Sequence, residues 1–219
     1  MSSVLEIREV SKNYGTDPIL TDVSFSLERG EALAITGPSG SGKTTLLSIA
    51  GLLQQATGGQ VLVDGAEVTG LDQLRLARIR GQYFGFVFQR ARLINSLTAL
   101  ENVLVPAWFT RSGRETEKKA RELLVNFGLD HRLNHRPQEL SLGQLRRVAL
   151  ARALLLDPVI ILADEPTNDL DPRLAKDVAD ALLHTRSSGT AVIIVTHDPA
   201  LAARADRRLR LTDGRLATA

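Results

Sequence analysis

The stretch Gly37-Pro38-Ser39-Gly40-Ser41-Gly42-Lys43-Thr44-Thr45 fits the pattern G-x-x-x-x-G-K-[ST]. A loop of this kind, the P-loop, cradles phosphate with its backbone. Its glycines let the main chain approach an anion with no side chain in the way. The N–H groups of the turn, and those opening the helix that follows, point at the phosphates. Lys43 supplies positive charge for the β- and γ-phosphates of a nucleoside triphosphate, and the Thr44 hydroxyl offers a ligand for Mg²⁺. A second chemical feature stands far downstream, where the apolar run 159–163 ends in Asp164-Glu165-Pro166. A carboxylate closing a buried strand is the expected Mg²⁺ partner of such a loop, and Asp164 fits that role. Glu165, next to it, is placed to orient or deprotonate a water aimed at the γ-phosphate.

The elements needed to position these groups are legible around them. The run Glu31 to Thr36 reads as a buried strand entering the loop, and Thr45 to Leu53 as the helix leaving it. Strand, glycine-rich turn and helix form the context the motif requires. Residues 4–10 and 19–27 alternate apolar and polar side chains, as half-buried strands do. The segment Ser11 to Pro18 between them reads as a turn-rich connection. Gln60 to Val68 reads as two short strands around Asp64-Gly65. Together these strands predict an antiparallel layer beside the nucleotide core.

Further along, helices are predicted over 71–80, 114–127, 141–156, 173–186 and 201–205, with an interrupted one over 100–108 at Pro106. Residues 84–88 form a short strand ending at Gln89. The runs 159–163 and 191–195 are apolar throughout, as strands buried on both faces of a parallel sheet require. A terminal hairpin is expected around Asp213-Gly214. Strands alternating with helices define an α/β class with a parallel sheet.

Composition limits the alternatives. The chain has 219 residues, 43% of them apolar, enough for a sizeable core. A net charge of +2 does not point to a dedicated nucleic-acid binder. The absence of cysteine excludes disulfides, thiolate catalysis and cysteine metal sites. The first residues lack the apolar core of a signal peptide, and the most apolar stretch, 148–163, carries Arg152 and Asp157 and is too short to span a bilayer. A membrane role must therefore come through a partner.

Further residues carry a family resemblance. Leu140-Ser141-Leu142-Gly143-Gln144 resembles the signature L-S-G-G-Q of the ATP-binding subunits of ABC transporters. Thr167-Asn168-Asp169-Leu170-Asp171 resembles the loop that follows the family's second nucleotide motif, and Val195-Thr196-His197-Asp198 its switch-histidine segment. Gln89 closes a strand where the family has its glutamine loop, and Tyr14 stands where an aromatic ring stacks on adenine. The match runs from about residue 4 to 216. Leu142 replaces the usual glycine, Arg146 a usual glutamine and Asp169 a usual asparagine.

The resemblance implies a single ABC-type ATP-binding domain over 1–219, with a P-loop core, an antiparallel β layer and a helical subdomain over about 90–156. It implies ATP and Mg²⁺ as ligands. Tyr14, the loop Gly37 to Thr45, Ser141, Gly143 and Gln144 would bind nucleotide; Thr44, Gln89 and Asp164 would hold the metal; Glu165, His197, Gln89 and Lys43 would act in hydrolysis. The signature would face the P-loop of a second copy, sandwiching two ATP molecules in a two-fold dimer. Phe84 to Gln89 and the segment 93–103 resemble the lipoprotein-releasing and macrolide-exporter group. That group implies a four-helix permease, with the chain cytoplasmic and peripheral on the inner face of the membrane. The segment 91–109 would receive the permease, and Leu104, Val105, Trp108 and Phe109 are the apolar candidates. Two alternatives accompany this reading. One is a regulatory ATPase controlling cell-envelope enzymes through a permease. The other is a soluble ABC-type ATPase acting on ribosomes or DNA, with Arg204, Arg207, Arg208 and Arg210 as its phosphate contacts.

Overall fold

Apolar side chains on both faces of a strand demand cover on both sides, and the chain supplies it. The computed structural model describes residues 3–109 and 114–218; Met1, Ser2, residues 110–113 and Ala219 lie outside them. The central sheet is built from β3 (Ala32–Thr36), β6 (Phe84–Val87), β7 (Ile160–Asp164), β8 (Ala191–Val195), β9 (Arg207–Thr212) and β10 (Arg215–Thr218). Its order is β10-β9-β3-β8-β7-β6, parallel except for the terminal hairpin β9–β10. A second, antiparallel sheet has the order β2-β1-β4-β5, from β1 (Ser3–Tyr14), β2 (Asp17–Glu28), β4 (Gly58–Val63) and β5 (Ala66–Glu67).

The strand period of two divides the core. Leu33, Ile35, Ile160, Leu162, Ile193 and Val195 face one way, into a cluster with Leu46 and Ile49 of α1 (Lys43–Ala50) and with Leu5, Ile7 and Leu27 of the antiparallel sheet. The alternate residues Ala32, Ile161, Ala163, Val192 and Ile194 face the other way. They meet Leu150 of α5 (Leu142–Leu154) and Ala179 and Leu182 of α6 (Pro172–His184). Each fully buried Leu or Ile side chain contributes about 1.5–3 kcal/mol. Helix α1 is therefore clamped between two sheets, and Gly51 at its end leaves no room for more. A Cβ there would lie 2.6 Å from Leu162 and 2.7 Å from Phe86.

Between β4 and β7 the chain turns helical. Helix α2 (Gln73–Tyr83) leads into β6; α3 (Ala99–Leu104) and α4 (Arg114–Asn126) pack with α5 around Val103, Ala120, Leu124 and Val148. Asn102 is buried there. Its amide nitrogen donates to the carbonyls of Ile94, Leu97 and Thr98, and its oxygen accepts from Ile94 N–H at 2.7 Å, pinning the loop that precedes α3.

Two expectations need correction, and a third is refined. Ser11 to Pro18 is not a loop: β1 and β2 pair as far as Tyr14 opposite Asp17, closing in a two-residue turn at Gly15-Thr16. Irregularities in the ladder, with Glu9 and Asp22 both at φ 50°, accommodate polar residues that break the alternation. The helix expected over 201–205 is instead α7 (Pro199–Ala202), because Asp198 caps it by accepting from Ala200 N–H and Pro199 fits its first position. The interruption expected at Pro106 is present: α3 gives way to a 3-10 turn, Val105–Phe109, since Pro106 cannot donate to an α ladder.

Candidate functional site

The parallel register gathers the motifs. Ile35 of β3 lies opposite Val195 of β8, and Val195 lies opposite Asp164 of β7. The carboxyl ends of three strands thus stand in one row. The P-loop leaves the first strand, Thr196-His197 the second and Asp164-Glu165 the third. On the far side of β7, Val87 pairs with Ala163, so Gln89 leaves its strand level with them. A crevice outside the carboxyl ends of parallel strands is where α/β sheets bind ligands. Here it is a cleft of about 640 Å³ lined by Tyr14, Gly40, Lys43, Thr44, Thr45, Gln89, Asp164, Glu165 and His197, among others.

The loop is shaped for backbone approach. Gly42, preceding α1, has φ 97° and ψ 8°, a left-handed conformation in which L side chains are strained. Gly37 is packed so tightly that a Cβ would lie 2.1 Å from the Leu211 carbonyl oxygen. Gly40 has φ 80° and open space where a side chain would be. Lys43 Nζ donates to the carbonyls of Gly37 at 2.9 Å and Pro38 at 2.7 Å, which places its charge inside the loop. Ser39 lines the cleft, while Ser41 Oγ is buried with no hydrogen-bond partner among the described residues.

Thr44 and Asp164, separated by 120 residues in sequence, meet: the threonine hydroxyl donates to Asp164 Oδ2 at 3.2 Å. Burial pushes the Asp164 carboxyl above the usual carboxylate range, and Glu165 beside it pushes the same way, while the Thr44 hydrogen bond and the charges of Lys43 and Arg92 pull it down. Glu165 has φ 45°, a left-handed conformation that costs of order 1–3 kcal/mol for a non-glycine residue. Its N–H donates to the Val195 carbonyl at 2.9 Å. Its Oε2 accepts from His197 N–H at 3.3 Å and lies 2.9 Å from His197 Nδ1. An ionised carboxylate only accepts, so Nδ1 carries the proton and Nε2 is left for a ligand.

These groups fit a magnesium nucleotide. The open space at Gly40, the Lys43 charge held inside the loop and the desolvated Asp164 carboxylate against the Thr44 hydroxyl are features that phosphate and a cation would meet in the cleft. Among the described residues no group of three or more His, Cys, Asp or Glu side chains gathers to hold a metal. Mg²⁺ is commonly held by one or two carboxylates together with substrate phosphates, and Asp164 supplies one such carboxylate beside the Thr44 hydroxyl.

The remaining predicted residues are placed as follows. Tyr14 ends β1 at the rim of the cleft and is 52% exposed; its hydroxyl accepts from Gln54, and Lys12 Nζ lies 5.3 Å from its ring centroid. Ser141, Gly143 and Gln144 are not brought to the cleft. Ser141 caps α5, accepting from Gln144 N–H at 3.3 Å, while Gln144 Oε1 accepts from Ser141 N–H at 2.9 Å. Leu142 occupies the first helical turn without a positive φ and is 47% exposed, so it points away without strain. Gly143 is buried, and a Cβ there would lie 1.9 Å from Leu174 of α6. Asp171 caps α6 through Arg173 and Leu174 N–H. Of the terminal arginines, Arg204 pairs with Asp180 and Arg207 with Glu31, while Arg208 and Arg210 are exposed. Sequence reasoning missed Ile19, which lines the cleft and whose carbonyl would stand 3.0 Å from a Cβ on Gly42. It also missed that Arg146 is 3% exposed; with Arg147 and Arg152 in the same helix, no local signal singled it out.

Asp164→Asn separates the two demands on that residue. A carboxyl raised above its unfolded value contributes stability below the unfolded pKa and loses it as pH rises through the folded value. At neutral pH the desolvated charge is thus unfavourable in the ligand-free protein. Asp164→Asn is expected to raise the ligand-free melting temperature at pH 7 and to erase most of the difference in melting temperature between acid and neutral pH that Asp164 causes. It is also expected to abolish the added stabilisation by ATP with Mg²⁺; calorimetry reads both effects.

The fold and the cleft define a P-loop nucleotide-binding protein. The profile of the ABC transporter family matches residues 20–168. The lipoprotein-releasing system ATP-binding protein LolD of Bordetella avium (strain 197N) is 46% identical over 222 residues, covering 99% of this chain and 96% of LolD. The macrolide export ATP-binding/permease protein MacB of Salmonella choleraesuis (strain SC-B67) is 44% identical over 223 residues, covering 99% of this chain, which spans 34% of MacB. Among solved structures, the dimeric MJ0796, a bacterial ABC transporter cassette, has a TM-score of 0.90 at 39% identity with 98% of each chain covered. The same cassette in a dimeric post-hydrolysis state bound to ADP and Pi is equally similar, with a TM-score of 0.90. The chain belongs to the ABC transporter family, as an ATP-binding and ATP-hydrolysing cassette.

Proposed function

We propose that the chain is the ATPase motor of a membrane permease, of the kind that extracts lipoproteins from a membrane or exports small molecules. The observation that carries this reading is the cleft itself, where the loop lysine, the Thr44–Asp164 pair and the Glu165–His197 pair converge. The loop Gly37 to Thr45 receives the triphosphate through backbone N–H groups, and Lys43 turns from its carbonyl partners to the β- and γ-phosphates. Tyr14 offers a face to adenine. Mg²⁺, when bound by Thr44, Asp164 and Gln89, neutralises charge developing on the phosphates. Glu165 takes a proton from the attacking water; His197 holds Glu165 in orientation through Nδ1–H and, with Nε2 also protonated, donates from Nε2 to the γ-phosphate. Ser141, Gly143 and Gln144 sit on a helix N-terminus away from their own loop, as expected of groups that complete a second copy's site. Closure of two copies on ATP and release after hydrolysis then provide the stroke, on the cytoplasmic face, where the permease holds the cassette.

A single domain over 1–219, with a helical subdomain over about 90–156, carries that stroke. No described helix is long and apolar enough to cross a membrane. A mostly apolar groove of about 890 Å³ lies between α2, β6 and the helical segment, lined by Phe84, Phe86, Phe88, Val105, Pro106 and Phe109 among others. Of the four apolar candidates for permease contact, Val105 and Phe109 line this groove, and Phe109 is 85% exposed. Leu104 packs into the helical cluster instead, and Trp108 is exposed outside the lining. Phe109→Glu is expected to lower co-purification of the cassette with its permease at least tenfold, since a charge cannot enter an apolar contact unpaired. ATP hydrolysis by the isolated cassette should change by less than about twofold, as surface changes away from a site are nearly neutral. Unaltered co-purification would refute the groove as the docking site.

A further inference from the structure

Arg146 lies in the second turn of α5, outside the cleft, and is nearly fully buried. Its Nη1 donates at 2.8 Å to the carbonyl of Phe88, the peptide that continues into Gln89. Its Nη2 donates at 3.4 Å to the carbonyl of Asn168. Asn168 belongs to the turn that follows Glu165, and its own N–H donates to the Glu165 carbonyl at 3.2 Å. One cation therefore bridges the two loops that carry Gln89 and Glu165, from a third element that begins at Ser141. The planar guanidinium fork can hold two carbonyls at a fixed separation; a single amide or ammonium cannot do so with the same geometry.

The charge is also accounted for. Burial disfavours the charged guanidinium, and the carboxylate of Asp169 is the charge that favours it. Asp169 is itself held by Asn168, whose Nδ2 donates to it at 3.0 Å. The arginine Nε–H is buried with no hydrogen-bond partner among the described residues. Its two terminal nitrogens thus serve the two loop carbonyls, at the expense of the Nε–H.

We infer that Arg146 is a positioning residue, which fixes the peptide leading into Gln89 relative to the turn after Glu165 and ties both to the helix that starts at the signature. This inference rests on the ATPase reading above. Without the bridge, the β6 loop can drift from β7's loop, and Gln89 loses its alignment across the cleft. Misplacement of a positioning contact by about an ångström lowers turnover by up to about a hundredfold while leaving remote binding contacts in place.

The test is steady-state ATP hydrolysis by the full chain for wild type, Arg146→Gln, Gln89→Ala and the double variant, with folding followed by thermal melting. Arg146→Gln is expected to lower kcat about tenfold, with the KM for ATP within about twofold. In the Gln89→Ala background the same substitution should cost about twofold or less, because contacts that act through one group are not additive. Where Arg146→Gln fails to fold, Arg146→Lys keeps the charge and is expected to show a smaller loss of kcat with the same dependence on Gln89. An unchanged kcat, or the same loss with and without Gln89, overturns the inference. Wild-type protein that hydrolyses no ATP overturns the ATPase reading itself, and this inference with it.

Discussion

Glu165→Gln is expected to lower ATP hydrolysis at least a hundredfold while leaving ATP binding intact. The carboxylate is held from two sides, by His197 N–H and by His197 Nδ1. An amide of the same shape keeps an oxygen for one of these donors, so the strand ends stay in register. What it cannot do is accept a proton from water. Removal of a positioned general base typically costs about 10²–10⁴ in rate. The variant should therefore bind ATP with an affinity close to that of wild type. Because the dimer would reopen only after hydrolysis, the variant should also accumulate as an ATP-bound dimer. Phosphate release, equilibrium nucleotide binding and light scattering with ATP read the three quantities. Turnover within about tenfold of wild type would remove Glu165 from the role of base.

Lys43→Ala is expected to abolish useful ATP binding, weakening it at least a hundredfold. In the ligand-free chain the Lys43 ammonium donates to two carbonyls of its own loop, so its charge already stands where phosphates would lie. A bound triphosphate would exchange those carbonyls for anionic oxygens. Hydrogen bonds involving charge contribute about 1.5–3 kcal/mol each, and two of them account for at least a hundredfold in affinity. Stability should change little, because Lys43 donates to loop carbonyls that water can reach in its place. Titration calorimetry with ATP and Mg²⁺ checks the loss of binding. Full affinity in the variant would mean that the loop does not grip phosphate through this side chain, and the functional account would fall with it.

The two variants fail at different steps, which makes them informative together. Lys43→Ala should block stabilisation of the fold by ATP, whereas Glu165→Gln should retain it. Ligand stabilisation follows from mass action alone and needs no turnover.

Much of this was written locally. The glycine loop, its lysine and its threonine are consecutive residues, and their chemistry depends on local backbone conformation rather than on distant packing. The apolar runs ending at Asp164 and Val195 announced strands buried on both faces, because only such strands dispense with alternation. The Asp-Gly turn between β4 and β5 was equally local, with Asp64 at φ 50° and Gly65 at φ 78°. The segment from Ser11 to Pro18 misled for the opposite reason. Its polar residues are strand residues only because the facing strand pairs with them, through a ladder broken by bulges. Arg146 was one of three arginines in α5, and its burial and its two carbonyl partners, from the end of β6 and from the turn after β7, set it apart only in the folded chain.

The sequence by itself therefore determined most of the strands and helices, the glycine loop between its strand and helix, and which side chains to propose for phosphate, proton and metal. The tertiary structure alone decided that these groups share one cleft. Parallel pairing sets Ile35, Val195 and Asp164 in a single row, and thereby delivers Thr44 to Asp164 and His197 to Glu165. The physical reason is the range of the forces: backbone propensity and turn chemistry act over a few residues. The register of a parallel sheet is fixed by side chains on both of its faces, contributed from every part of the chain.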